Sequence, residues 1–272
     1  MPETDPATEM SADETMPAMA DPATAAHPFT LAIDIGGTGL KASVLSASGE
    51  MVAERVKIAT PYPLPPDLMV KTLGELVRPL PAFDRASAGF PGMVRGGIVL
   101  SAPHFITATG PGSEVVPELE TAWSRFDMAG ALAGALGKPT KVANDADVQA
   151  AAVVQGRGLE LCVTLGTGFG TGMFYNGQLL PHLEISHQQF RKNETFDEQL
   201  GEAARKAVGN QKWRQRVALA IERMRALMYF DHLYIGGGNS RRIDPDSVDA
   251  DVTIVSNTAG ILGGLKLWDP TR

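Results

Sequence analysis

Thr30-Leu-Ala-Ile-Asp34-Ile-Gly36-Gly37-Thr38-Gly39-Leu-Lys41-Ala-Ser-Val-Leu45 reads as a strand, a glycine turn and a returning strand in one stretch. The apolar run from Leu31 to Ile35 carries one acid, Asp34. A carboxylate at the end of a buried strand is costly unless it is paired or meets a cation. Glycines after it let backbone N–H groups approach an anion closely. Acid and turn together suggest a Mg²⁺–phosphate site, and the turn alone also suits a glycine hairpin with a solvated Asp.

A second stretch repeats the pattern. Leu161-Cys-Val-Thr-Leu165-Gly166-Thr167-Gly168-Phe-Gly170-Thr-Gly-Met-Phe-Tyr175 is again apolar strand, glycine turn and returning strand, and Asn176-Gly177 signals a further hairpin. Two such units, one in each half, suggest two related α/β lobes that offer facing phosphate loops to a shared cleft. Between them, Lys141-Val-Ala143 reads as a short strand delivering Asn144-Asp145-Ala146-Asp147 to the start of a helix over 147–155. Strand-to-helix junctions are frequent sites of chemistry in α/β folds. A helix N-cap explains one of these polar residues but not the cluster.

The intervening chain predicts a strand over 51–58, a helix over 67–78, a strand over 85–90 ending in Gly89-Phe-Pro-Gly92, a hairpin at 94–98 and a helix over 123–136. His104 falls in a loop. Residues 196–230 read as two helices. Their polar side is basic, with Arg205, Lys206, Lys212, Arg214, Arg216, Arg223 and Arg225 against Glu222 alone between 203 and 225. Such a run is usually a solvated face, and here it is also a candidate anion-binding face. His232 to Ile235 and Val252 to Val255 read as strands, and a C-terminal helix begins at Asn257.

The chain has 272 residues and a net charge of −7. Six acids and no Lys or Arg lie in residues 1–28, which leaves −1 for the rest. The acidity therefore does not exclude an anionic substrate. The first 28 residues lack periodicity and read as a disordered acidic tail, within which Met10, Met16 and Met19 are alternative starts. No apolar run is long enough for a membrane span, and no signal-peptide pattern is seen. The single Cys162 excludes a disulfide framework. A cytoplasmic protein is the expectation.

Taken in order, Asp34-Ile-Gly-Gly-Thr38, Gly89-Phe-Pro-Gly92, Asn144-Asp-Ala-Asp147, Leu165-Gly-Thr-Gly168 with Gly170, Glu184-x-x-His187, Gly236-Gly-Gly238 and Asn257-Thr-Ala-Gly260 resemble the motif set of the ROK sugar kinases, most of all their short polyphosphate glucokinase branch. The resemblance runs over roughly residues 29–269. It implies a two-lobed, actin-like (ribonuclease H-like) α/β fold, with lobes at 29–143 and 144–257 and the C-terminal helix, 258–269, able to pack back on the first.

The resemblance also implies roles. Asp145 is the expected general base toward a sugar 6-hydroxyl, and Asp34 the expected Mg²⁺ residue. Gly36, Gly37, Thr38, Lys41, Thr167, Gly168, Gly237 and Gly238 are expected around the donor phosphates. Gly92, His104, Asn144, Asp145, Glu184 and His187 are expected around the sugar. His182, His27 and His232 read as structural or surface residues. Ser186 stands where the family usually has Gly, and His104 where many relatives have Asn. No cysteines of the family's zinc loop are present, so no zinc is expected. Residues 1–28 supply no helix-turn-helix, which argues against a DNA-binding repressor. The expected partners are a hexose and a phosphoryl donor, polyphosphate or ATP, with no nucleic acid and no membrane, and with room for a homodimer. A catalytically weak sugar-binding protein on the same fold is the alternative.

Overall fold

The computed structural model describes residues 17–22, 24–255 and 259–269. Strands β1 (Thr30–Ile35) and β2 (Gly39–Leu45) form the first hairpin, and β3 (Val56–Ala59) adds to β2. Helix α1 (Pro66–Leu76) leads to β4 (Arg85–Phe90), a small hairpin β5 (Val94–Arg95) and β6 (Ile98–Val99), helices α2 (Pro117–Trp123) and α3 (Met128–Leu136), and β7 (Thr140–Asn144). The sheet order is β3-β2-β1-β4-β7, with β2 and β3 antiparallel and β1, β4 and β7 parallel.

Helix α4 (Asp145–Val153) then carries the chain into the second lobe. There β8 (Leu159–Leu165), β9 (Phe169–Tyr175) and β10 (Gln178–Leu179) are followed by a pair β11 (Gln189–Arg191) and β12 (Glu194–Thr195), helices α5 (Phe196–Leu200) and α6 (Glu202–Met228), β13 (His232–Gly236) and β14 (Val252–Ile254). The second sheet runs β10-β9-β8-β13-β14. It repeats the first, as an antiparallel hairpin plus third strand on one side and two parallel strands on the other.

Each lobe has its own core. Phe90, Phe105 and Trp123 centre the first, with ring centroids 5.4–5.6 Å apart, and Trp213, Phe196 and Leu233 lie in the second. Helix α7 (Ala259–Lys266) returns to the first lobe. The Ser87 hydroxyl donates to Gly264 O (2.6 Å), the Trp268 indole donates to the Ser87 hydroxyl (2.8 Å), and Lys141 donates to Leu267 O (2.7 Å).

Several local expectations change. The helix expected over 123–136 is α3 from Met128 onward, with Trp123 ending α2, because Ser124 leaves helical geometry, Arg125 has φ 59° and the Asp127 side chain caps α3 by accepting from Gly130 N. The strand expected from Met51 starts at Val56, and Met51 makes only isolated bridges. Helix α4 starts two residues before Asp147, since Asn144 caps it. The reading of 1–28 as a disordered tail also changes where the structure describes it. Ala20 N donates to Met51 O and Met51 N to Ala18 O, both at 2.7 Å, while Asp84 accepts from Phe29 N and pairs with His27. Backbone pairing of this kind leaves no compositional trace. Residues 1–16, and the helix start expected at Asn257, lie outside the described residues.

Candidate active site

Each glycine turn is closed by a backbone hydrogen bond, the second turn being one residue tighter. Gly36 N donates to Gly39 O and Gly166 N to Gly168 O, each at 3.0 Å. They face each other across a cleft of about 590 Å³ between the lobes. Its walls bring together Gly36, Gly37, Gly92, His104, Asn144, Asp145, Thr167, Gly168, Glu184, His187, Gly237 and Gly238. These residues span two hundred positions of sequence. Thr38, Lys41 and Asp34 are outside this lining. Asp34 and Lys41 sit opposite one another on β1 and β2, with Lys41 Nζ 3.5 Å from the half-exposed Asp34 carboxylate.

The turns are braced by residues that sequence reading missed. The Thr60 hydroxyl donates to Gly36 O and the Tyr62 hydroxyl to Gly37 O, each at 2.7 Å. On the other side, Asp197 accepts from Phe169 N (2.8 Å), and Asn239 Nδ2 donates to Gly166 O (3.2 Å). Glu202 N, at the start of α6, donates to Gly166 O and Thr167 O. The Glu202 carboxylate also accepts from Arg205 (2.7 and 2.6 Å) and Asn239 (3.0 Å), and the Arg205 bonds lead in holding it down to a pKa of about 2. Gly237 has φ +83°, and a side chain there would overlap the backbone of Leu165. The only local signal for any of these was the capping box Thr195-x-x-Glu198, which starts α5 and so positions Asp197.

Asn144 and Asp145 sit where β7 becomes α4. Asn144 Oδ1 accepts from Ala146 N (2.8 Å) and its Nδ2 donates to Gly92 O (3.0 Å), so this expected sugar ligand also ties the Gly92 turn to the helix. Asp145 accepts from Ala146 N (2.9 Å). Burial, then the nearby charges of Asp34 and Glu184, push its pKa up to about 7 against the pull of that N–H bond. A carboxylate titrating near neutrality is suited to taking a proton.

Across the cleft, Glu184 accepts from the Ser186 hydroxyl (2.6 Å). His182, read from the sequence as structural or surface, is buried between Asp147 (Nδ1 to Oδ1, 3.0 Å) and Glu184 (Nε2 to Oε2, 3.6 Å). His104 is half-buried, its Nδ1 has no hydrogen-bond partner, and burial pushes its pKa down, so it enters the cleft as a neutral imidazole. His187 is exposed on the rim.

The model of the ROK family matches residues 30–212. The chain belongs to the ROK family. It is 27% identical over 250 residues to the polyphosphate glucokinase of Mycobacterium tuberculosis, covering 85% of this chain and 88% of that protein. A shorter match, 33% identical over 159 residues, joins 56% of the chain to 49% of the N-acetylmannosamine kinase of Escherichia coli O157:H7. Among solved structures, the inorganic polyphosphate/ATP-glucomannokinase of Arthrobacter sp. strain KM superposes with a TM-score of 0.71 at 26% identity, over 88% of this chain and 97% of that one. The ROK glucokinase of Streptomyces griseus, in complex with glucose and AMPPNP, shares the fold (TM-score 0.66, 17% identity, over 88% of this chain and 98% of that one). The fold is the two-lobed actin-like one, and this ROK protein is a phosphotransferase acting on sugars. No helix of the described residues is long and apolar enough to cross a membrane.

The basic face of α6 is less available than the sequence implied. Arg205 and Lys206 meet Glu202, and Arg225 meets Asp249 and Asp251. Arg216 donates to Gln199 O, Arg223 to Phe190 O and Arg214 to Arg242 O. Glu202, Asp249 and Asp251 all lie outside residues 203–225.

Proposed function

We propose that this ROK kinase transfers a phosphoryl group from polyphosphate, ATP or both to the 6-hydroxyl of glucose or a similar hexose. The observation that carries the reading is Asp145, with its pKa raised to about 7, inside the cleft between two facing glycine turns. In this reaction the sugar 6-hydroxyl gives its proton to the Asp145 carboxylate. The freed oxygen lone pair forms a bond to the terminal phosphorus, and the bond from phosphorus to the leaving phosphate oxygen breaks. The products are a sugar 6-phosphate and either ADP or a polyphosphate one unit shorter. Little covalent work falls to the protein, so positioning and charge neutralisation dominate.

The donor phosphates are read as lying between Gly36–Gly37 and Thr167–Gly168, whose backbone N–H groups suit an anion. Glu184, His187 and His104 supply acceptors and donors for sugar hydroxyls. Mg²⁺ would be held by Asp34 together with donor phosphates. That fits the chemistry of Mg²⁺, which commonly uses one or two carboxylates plus substrate phosphates. It also fits the half-exposed Asp34 carboxylate, close enough to raise the pKa of Asp145, and the absence among the described residues of a self-sufficient three-ligand cluster. When bound, the ion would supply charge neutralisation.

Polyphosphate as donor is supported by the two polyphosphate-using relatives, and by Arg214, Arg241 and Arg242 gathered at the end of the Gly237–Gly238 turn. Steady-state turnover of a hexose panel with ATP and with polyphosphate of several lengths, Mg²⁺ present, tests the reading. Hexose 6-phosphate with at least one donor is expected. No turnover of any hexose with either donor would refute it.

A further inference from the structure

Glu184 is a sugar ligand in the reading above, and a carboxylate recognises hydroxyls only when its charge and both oxygens are fixed. Here each oxygen has a protein neighbour. Oε1 accepts from Ser186 at 2.6 Å, and Oε2 faces His182 Nε2 at 3.6 Å. His182 is 5% exposed and is anchored through Nδ1 to Asp147, itself 2% exposed, at 3.0 Å. Asp147 is two residues beyond Asp145 on α4, so one imidazole connects the helix that bears the base to the segment that bears the sugar ligand. It also separates the cleft from a second cavity of about 250 Å³, lined by Arg95, Val142, Leu179 and Pro181 as well as by His182 and Asp147.

The charge balance gives this placement a purpose. Asp145 and Glu184 line the cleft, Asp147 is buried beside it, and His182 is the cation among them. His182 Nε2 is buried and makes no short hydrogen bond, so its proton is directed at Glu184 alone. Without a positive charge there, the carboxylates of Asp145 and the buried Asp147 would act on Glu184 unopposed, and like charges favour its protonated form. A protonated Glu184 would donate where the sugar needs an acceptor.

We propose that His182 is a positioning residue for the sugar site: bridging Asp147 and Glu184, it holds the Glu184 carboxylate ionised and oriented toward the hexose hydroxyls. The inference rests on the kinase reading and adds a residue whose signal lay in its fold partner rather than in its neighbours. The charged and titratable groups around His182 are Asp147 and Asp145 on α4, Glu184 on its own segment with His187 beyond it, and Arg95 across the adjoining cavity. Burial alone would lower the His182 pKa, but its bond to Asp147 and its ion pair with Glu184 overcome this and raise it to about 9, while the nearby His182 leads in holding Glu184 below the usual carboxylate range. The imidazolium is therefore present at neutral pH and lost as pH rises through about 9.

The test measures hexose binding directly by calorimetry, alongside kinetics, for wild type, His182→Gln and Asp147→Asn. Hexose affinity should weaken about tenfold in His182→Gln, the scale of one charge-assisted hydrogen bond, with donor KM within about twofold of wild type. Asp147→Asn should show a smaller loss of the same kind. In wild type, hexose affinity should hold from pH 7 to 8 and fall through about pH 9, and that fall should be missing from His182→Gln. Unchanged hexose affinity in His182→Gln, or equal losses for hexose and donor, would overturn the proposal. If neither variant folds, the wild-type titration decides, and flat hexose affinity to pH 10 overturns it. A wild type that phosphorylates no hexose would instead refute the kinase reading, so the two failures are distinguishable.

Discussion

Asp145→Asn should cost activity and add stability, and the two effects share one cause. The carboxylate has been moved from an ordinary pKa of 3.8 to about 7 by burial and by the charges of Asp34 and Glu184. A raised acid pKa means that the folded state disfavours the ionised form. The stability contribution of this group is full below about pH 4 and is lost as pH rises through about 7. A shift of roughly three units, at about 1.4 kcal/mol per unit, sets an upper bound of about 4 kcal/mol on the cost of keeping Asp145 ionised above pH 7. Asparagine keeps the shape and can still accept from Ala146 N, but it removes that cost. The variant should therefore melt at clearly higher temperature than wild type at pH 8 and by a much smaller margin at pH 4.5. Loss of the base should lower kcat by about 10²–10⁴-fold. In wild type, kcat/KM should fall about tenfold per pH unit below about 7, because that ratio reports the free enzyme's base. Thermal unfolding at the two pH values, with a pH–rate profile, measures all three. A variant no more stabilised at pH 8 than at pH 4.5, or one that retains turnover, would refute the assignment of Asp145 as a buried, charged base.

Gly36→Ala places a methyl 2.9 Å from Gly39 O, inside the turn that Gly36 N closes; donor KM should rise about tenfold while hexose binding by calorimetry is spared. Gly263→Ala drives a methyl into the Val148 carbonyl oxygen where α7 crosses α4, so thermal unfolding should show a loss of about 1–3 kcal/mol, and an unchanged melting temperature would mean that the helices are not packed as described. Replacing Arg214 and Arg242 together by Gln should weaken long polyphosphate more than ATP, with a flatter salt dependence for the polymer; equal losses with both donors would count against these arginines as a polymer contact.

What the sequence made legible was whatever the chain repeats or signals locally. The two glycine hairpins announced two lobes, because each turn sits between strands adjacent in sequence. Asn144-Asp145 stood out because a strand ended there and a helix began. The parts that were not legible depend on long-range contacts. Thr60 and Tyr62 look like loop residues among prolines until their hydroxyls reach Gly36 O and Gly37 O. His182 looked structural because its partner Asp147 is 35 positions away. The basic stretch of α6 looked more available than it is, because Glu202, Asp249 and Asp251 neutralise it from outside the counted window. The break between α2 and α3 was hidden by apolar spacing that runs on through it, although Asp127 was a visible cap.

The lobes repeat in backbone but not in charge, and the difference gives the cleft a direction. Asp34 stands two residues before its glycine turn, and Thr164 stands two residues before the other. In register, Asp34 faces Lys41 across its hairpin, while Thr164 faces Gly170. The absence of a side chain at Gly170 and Gly172 lets Ala146 and Ala150 of α4 approach β9 closely, since a methyl at Gly172 would lie 2.7 Å from Ala150 Cβ. The same helix meets Gly89 of the first lobe through Asp145 and Gly263 of α7 through Val148. Asp145 is thus mounted on a helix packed against both lobes, between the hairpin that carries Asp34 before its turn and the one that carries Thr164 there. A base at Asp145, as proposed, would keep its distance to both glycine turns only while both lobes grip α4. In the proposed reaction, the glycines that permit this close packing therefore matter to the placement of Asp145 as much as those that form the two turns.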